Sequence, residues 1–100
     1  MEEKVCIVAI VERGKADKIV EEVKKVGAKG ATILYGRGTG EHEAKKLFSI
    51  HIDSSKEIIL IVHEKASYQP IFDAIIQAGK LEQIGTGIIF TLPVGHFIGQ

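Results

Sequence analysis

Val5-Cys6-Ile7-Val8-Ala9-Ile10-Val11 is an unbroken apolar heptad, rich in Val and Ile and too short for an isolated helix. A run of that length and composition predicts a β-strand. Glu12-Arg13-Gly14 ends it, and from Lys15 the period changes. Ala16, Ile19, Val20, Val23 and Val26 fall on one face of a helix, with Lys18, Glu21, Glu22, Lys24 and Lys25 on the other. Lysines gather in the last turn, where the helix dipole favours cations, and Gly27 is placed to stop the helix in the left-handed conformation.

A second strand follows at residues 32–35. It runs into glycines at every second position, Gly36-Arg37-Gly38-Thr39-Gly40, which remove Cβ where a backbone must bend sharply or approach a ligand. The expectation is a strand feeding a flexible loop. GxG alone is a weak signal. It gains weight from a second pair, Gly85-Thr86-Gly87, because two bare-backbone loops can form the two jaws of an anion site. Residues 41–55 carry little pattern and read as a long excursion, with a short strand in the alternating residues 48–52. A loop of that length in a compact domain is usually functional or disordered.

Five consecutive aliphatics at residues 58–62 predict a third strand. Ser67 is the expected N-cap of a second helix, with Pro70 in its first turn, Ile71, Phe72, Ile75 and Ile76 as its buried stripe, and Gly79 as its end. Residues 80–87 form the second loop, and residues 88–92 a fourth strand closed by Pro93. The order βαββαβ, with right-handed crossovers, gives the α+β ferredoxin-like plait: an antiparallel four-stranded sheet with both helices on one face. Successive strand residues point to opposite faces, so the unbroken aliphatic runs are apolar on both faces while the helices cover one. Leaving six such side chains wet would forgo about 10 kcal/mol, comparable with the stability of a small domain. Self-association through the open face is therefore expected.

One hundred residues are expected to form a single domain, and such a chain buries only about 60 to 70 per cent of its unfolded surface. Thirteen basic and thirteen acidic residues balance, which disfavours nucleic acid or an anionic membrane as the main partner. The single Cys6 has no disulfide partner in its chain and reads as a small buried hydrophobe. No signal-peptide pattern opens the chain and no apolar run approaches roughly eighteen residues, so a soluble cytoplasmic protein is expected. His42 and His51, with Glu41 and Glu43, are metal-ligand types in one loop, but their spacing fits no fixed site and surface placement is the expectation. His63 and His96 lie near strand ends without an evident partner. No nucleophile has an evident base, no Walker lysine occurs, and no strand aromatics of the RNA-stacking kind are present, so no enzymatic activity is expected.

Ala28-Lys29-Gly30-Ala31-Thr32 at the entry to the second strand, Arg37-Gly38-Thr39-Gly40 at its end and Ile84-Gly85-Thr86-Gly87-Ile88-Ile89-Phe90 at the approach to the fourth together resemble the PII family of nitrogen-signalling proteins. The resemblance covers almost the whole chain. It implies a cytoplasmic homotrimer of ferredoxin-like subunits that binds an adenine nucleotide (AMP, ADP or ATP) or a related small anion in clefts between subunits and regulates a target enzyme or membrane transporter. Residues 41–55 would be the partner-docking T-loop, with Glu41, His42, Glu43, Lys45, Lys46 and Phe48 in contact, and residues 80–87 the phosphate-holding B-loop. Arg37 and Lys56 would supply charge to the ligand, Gly38, Gly40, Gly85 and Gly87 backbone N–H donors, and Thr32 and Thr86 hydroxyl contacts. The sequence departs from the family's usual B-loop, Thr-Gly-x-x-Gly-Asp-Gly-Lys: Leu81-Glu82 stands for the first pair, Thr86 for the acid and Ile88 for the lysine. The C-terminal phosphate-binding arginines have no counterpart, His42 replaces the glutamine used for magnesium and 2-oxoglutarate, and the T-loop is shorter and lacks a tyrosine. Two other readings share the plait. An amino-acid-sensing module of the ACT type needs no nucleotide, and an acylphosphatase needs a catalytic asparagine that this chain, without a single Asn, does not have.

Overall fold

A computed structural model describes residues 3–39, 46–47, 50–51 and 54–99. Strand β1 (Lys4–Glu12) leads to helix α1 (Ala16–Lys25) and strand β2 (Thr32–Gly38). Two short strands, β3 (Lys46–Leu47) and β4 (Ile50–His51), pair with each other. Strand β5 (Ser54–Glu64), a 3-10 turn (Lys65–Ser67), helix α2 (Gln69–Gly79) and strand β6 (Gly87–Val94) complete the order. The four long strands form one antiparallel sheet in the order β2-β5-β1-β6. β1 and β2 run parallel with β5 between them, and β5 and β6 run parallel with β1 between them. Each helix is the crossover of one such pair, which makes the fold the ferredoxin-like plait.

The register assigns the two faces. Val5, Ile7, Ala9 and Val11 of β1 with Ile59 and Ile61 of β5 are buried beneath Ala16, Ile19 and Val23 of α1 and Ile71 and Ile75 of α2. The opposite face carries Cys6, Val8 and Ile10 on β1, Ile58, Leu60 and Val62 on β5, Leu34 on β2, and Ile88, Phe90 and Leu92 on β6. Val8 is buried between its cross-strand neighbours Leu60 and Phe90. Leu34, Val62, Ile88, Phe90 and Leu92 stay 39 to 56% exposed. Half-wet side chains forgo about half of their full burial energy, so covering these five is worth about 5 kcal/mol rather than the larger figure their sequence suggests.

Helix α1 ends as its sequence predicts. The Ala28 N–H donates to the Val23 carbonyl (3.1 Å) and the Gly27 N–H to that of Lys24 (3.4 Å), a Schellman motif with Gly27 at φ +110°. Helix α2 departs from expectation at its start, and ends at Gly79 as expected. Its N-cap is Tyr68 rather than Ser67, with Pro70 in the first turn, and Ser67 Oγ instead lies 3.1 Å from His63 Nε2. At the other end Gly79 is the last helical residue, and the left-handed cap is Lys80, at φ 54° and ψ 43°. The glycine one position earlier has a packing role: a Cβ there would sit 3.2 Å from Ile19 Cδ1 and 3.3 Å from Leu81 Cδ2, in the seam between the helices.

All four long strands run further than their sequences predict, β5 most of all: it begins at Ser54, so the last two residues of the expected 41–55 excursion are strand. Gly36 and Gly38 belong to β2, opposite Lys56 and Ser54, so the glycine-rich stretch is strand as far as Gly38. Neither has a positive φ, and the stem of Lys56 lies 3.9 Å from where a Cβ of Gly38 would be. On β6 the strand continues through Pro93, which an edge strand tolerates because no outer partner needs its N–H. Of the expected strand at residues 48–52, only Ile50–His51 is a described strand.

Lys80 holds a conformation that disfavours a Cβ and that glycine adopts freely, at the cost of greater freedom in the unfolded chain. Lys80→Gly is therefore expected to stabilise the fold by about 0.5 to 1 kcal/mol, read as a higher midpoint in urea denaturation. An unchanged or lowered midpoint would show that the left-handed cap carries no strain.

Candidate functional site at the glycine-bearing end of the sheet

Antiparallel register brings the C-terminal ends of β1 and β2 to the same end of the sheet as the N-terminal ends of β5 and β6. Val11 pairs with Gly87, Glu12 with Lys56, Gly36 with Lys56 and Gly38 with Ser54. Both glycine-rich segments lie at this end, but on opposite edges. The β2 segment borders β5, and the β6 segment borders β1, so three interstrand spacings, about 14 Å, separate them within one chain. The jaws expected to close on one anion do not meet within a subunit.

Arg37 and Lys56 also diverge. Lys56 stands opposite Gly36 on the open face, 91% buried, with Glu12 across from it on β1, whereas Arg37 is exposed opposite Ser55 on the helix-bearing face. Only an anion at the rim of the sheet, rather than over either face, is within reach of both. Thr32 is exposed on the open face, opposite Leu60.

The loop before β6 is closed by its own polar groups. Thr86 Oγ1 lies 2.9 Å from the carbonyls of both Lys80 and Gln83, so its single hydroxyl hydrogen stays within the loop. Gly85 (φ +84°) and Gly87 (φ +151°) take conformations that favour glycine, and a Cβ on Gly87 would collide with the Ile10 carbonyl oxygen. Thr86 thus shapes the loop, and Gly87 is required where β6 docks on β1. Ile84 and Ile88 flank this loop and are 78 and 56% exposed, an apolar surface beside the bare backbone.

On the helix side of the same end, an open cleft of about 550 Å³ is lined by Arg13, Gly14, Tyr35, Gly36, Ser55, Lys56 and Glu57. The turn from β1 into α1 forms one wall: the Lys15 N–H donates to the Glu12 carbonyl (3.2 Å), Gly14 takes φ +90°, and the Arg13 N–H donates to the Ser55 carbonyl (3.3 Å). Glu57 is 8% exposed, and its Oε1 accepts the Ala16 N–H at 2.8 Å, capping the first turn of α1 from the sheet. No side chain from α1's own N-cap, Lys15, does so. The negative charge also complements the positive end of the helix. Sequence reading missed Arg13, Tyr35, Ser55 and Glu57. The signal for Glu57 was register, since it shares the inward face with Ile59 and Ile61, where an acid has to have a partner.

Gly40, Glu41, His42, Glu43, Lys45 and Phe48 lie outside the described residues, and Lys46 is described only as part of β3. Among the described residues no group of three His, Cys, Asp or Glu side chains could hold a metal ion. His63 and its partner Ser67 sit at the far end of the sheet. No helix among the described residues is long and apolar enough to cross a membrane.

Residues 4–99 match the model of the family described as nitrogen regulatory protein P-II. The nitrogen regulatory protein P-II of Azospirillum brasilense is 32% identical over 97 residues, covering 92% of this chain and 87% of that protein. The crystal structure of Arabidopsis thaliana PII bound to citrate superposes with a TM-score of 0.70 at 27% identity, covering 93% of this chain and 78% of the other. The family match along nearly the whole chain, the relative and the shared plait agree: this chain belongs to the nitrogen regulatory protein P-II family, a family of signalling regulators rather than enzymes.

Proposed function

We propose that this P-II family regulator works in the cytoplasm as a homotrimer, a single-domain subunit that binds an adenine nucleotide or related small anion between copies. In this reading the part of the 41–55 excursion that precedes β5, residues 41–53, acts as the T-loop that reports occupancy to a target enzyme or membrane transporter. The observation that carries it is the separation of the two glycine segments. They share one end of the sheet but lie on opposite edges, about 14 Å apart, so a single small ligand can touch both only if the β2 edge of one copy faces the β6 edge of another. The half-exposed Leu34, Val62, Ile88, Phe90 and Leu92 supply an apolar surface for that association. Citrate on the Arabidopsis relative is a small polyanion, and it supports an anionic effector for this chain as well.

The ligand charge is held by Arg37 and Lys56, reaching the rim from opposite faces. Backbone N–H groups at Gly38, Gly40, Gly85 and Gly87 complete the anion contacts, with Thr32 supplying a hydroxyl and Thr86 holding the loop in shape. Ile88, where the family has a phosphate lysine, leaves the β6 side of the cleft apolar. With two cations in place of a larger set, fewer phosphates suffice.

A nucleotide with one or two phosphates is therefore expected to bind at least as tightly as ATP. Removing the Arg37 charge is expected to weaken binding by about 2 kcal/mol, as loss of one charged hydrogen-bond partner does. Titration calorimetry of the wild type and Arg37→Ala with AMP, ADP and ATP tests this. ATP binding far more tightly than the others, or affinities unchanged in Arg37→Ala, would contradict the proposed site.

A further inference from the structure

Arg13 and Glu57, opposite charges that line the helix-side cleft, are not paired with each other among the described residues. Glu57 is the floor of the cleft, a carboxylate more than nine-tenths buried. One oxygen accepts the Ala16 N–H at 2.8 Å; among the described residues no donor is bonded to the other, and no cationic side chain pairs with the group. Buried carboxylates ordinarily have both oxygens satisfied and a counter-charge nearby, and among the described residues the α1 terminus alone meets that need. Arg13, at the lip of the cleft, is the converse: its backbone N–H is bonded to Ser55, while among the described residues its guanidinium has no carboxylate partner.

An acid at the floor and a fork-shaped base at the lip form the complement of a zwitterion. A carboxylate fits the planar guanidinium in two-pronged geometry, and an ammonium with three donors fits the remaining oxygen of a recessed carboxylate. The cleft, at about 550 Å³, lies within the size range of small-ligand sites. Tyr35 is 77% exposed and lines the cleft as an aromatic wall. We propose that this cleft binds a free α-amino acid, its ammonium donating to Glu57 and its carboxylate pairing with Arg13.

Arg13 and Glu57 are not among the residues of the proposed nucleotide cleft, and Gly85 and Gly87 lie two strands away, although Lys56 also lines this cleft and Arg37 is on the same face opposite Ser55. The two sites share the β2 and β5 ends, so an amino acid held between the β1–α1 turn and Tyr35 would sit beside the strand ends that flank residues 41–53. A second effector would then act on the same output.

Titration calorimetry of the full chain with L-alanine, L-glutamine and L-phenylalanine, and with ethylamine and propionate as the two halves of alanine, tests the proposal. At least one amino acid is expected to bind with a dissociation constant below about 1 mM, and each half at least about tenfold more weakly. Arg13→Ala is expected to weaken that binding about tenfold or more while leaving AMP binding unchanged. Glu57→Gln should do the same, because its amide oxygen still accepts from Ala16 while its NH₂ group repels an ammonium. Should Glu57→Gln fail to fold, the exposed Arg13→Ala decides alone. No binding by any of the three amino acids at about 10 mM, ethylamine binding as tightly as alanine, or affinity untouched by Arg13→Ala would each overturn it.

Discussion

A single layer of helices has to cover a sheet that is apolar on both faces. β1 and β5 alternate Ile7, Ala9, Ile59 and Ile61 toward the helices with Val8, Ile10, Ile58 and Leu60 away from them, and α1 and α2 pack on one side alone. Within the chain the outer side chains relieve part of the imbalance by packing against one another, which is how Val8 becomes buried while Leu34, Val62 and Leu92 around it stay half-exposed. The residual surface is concentrated on one plane. Non-directional apolar attraction across such a plane favours a second copy of the chain, because a small domain has no further layer of its own to supply.

The antiparallel pairing that creates this face also determines where chemistry can occur. It gathers the glycine-bearing ends of β2 and β6, the entry to β5 and the turn into α1 at one end of the molecule. The β1–β5 core lies between the two edges and holds them apart. A ligand at this end therefore meets a different chemical set on each side: Lys56 beside bare backbone on the open face, and Arg13, Tyr35 and Glu57 on the helix face. Glu57 ties fold to site, since the carboxylate lining the cleft also anchors the first turn of α1.

Most of the fold was legible because periodicity is a local signal. The apolar heptad at Val5, the 3.6-residue stripe of α1 and the aliphatics around Ile59 each declare their element without reference to the rest of the chain. What was not legible depended on tertiary contacts. Ser67 has the chemistry of an N-cap but faces His63, so Tyr68 begins α2; Gly79 ends the helix as its chemistry suggests, but its place in the seam against Ile19 shows only in the fold. Gly36 and Gly38 read as loop by composition, yet pairing with β5 keeps them extended. At the site, the glycines and Lys56 were found through family resemblance, and the structure adds that Arg37 leaves from the opposite face. Glu57 and Arg13 were invisible as a pair because 44 positions separate them in sequence and only the antiparallel register joins them.

The central claim is that the open sheet face is an interface between copies. Sedimentation equilibrium at low micromolar concentration, on the wild type and on Leu92→Glu, tests it most directly. The account predicts a wild-type mass three times that of the 10.9 kDa chain and a smaller species for Leu92→Glu, whose charge would lie on the half-exposed apolar face. A monomeric wild type, or a Leu92→Glu variant that associates as tightly as the wild type, would contradict it.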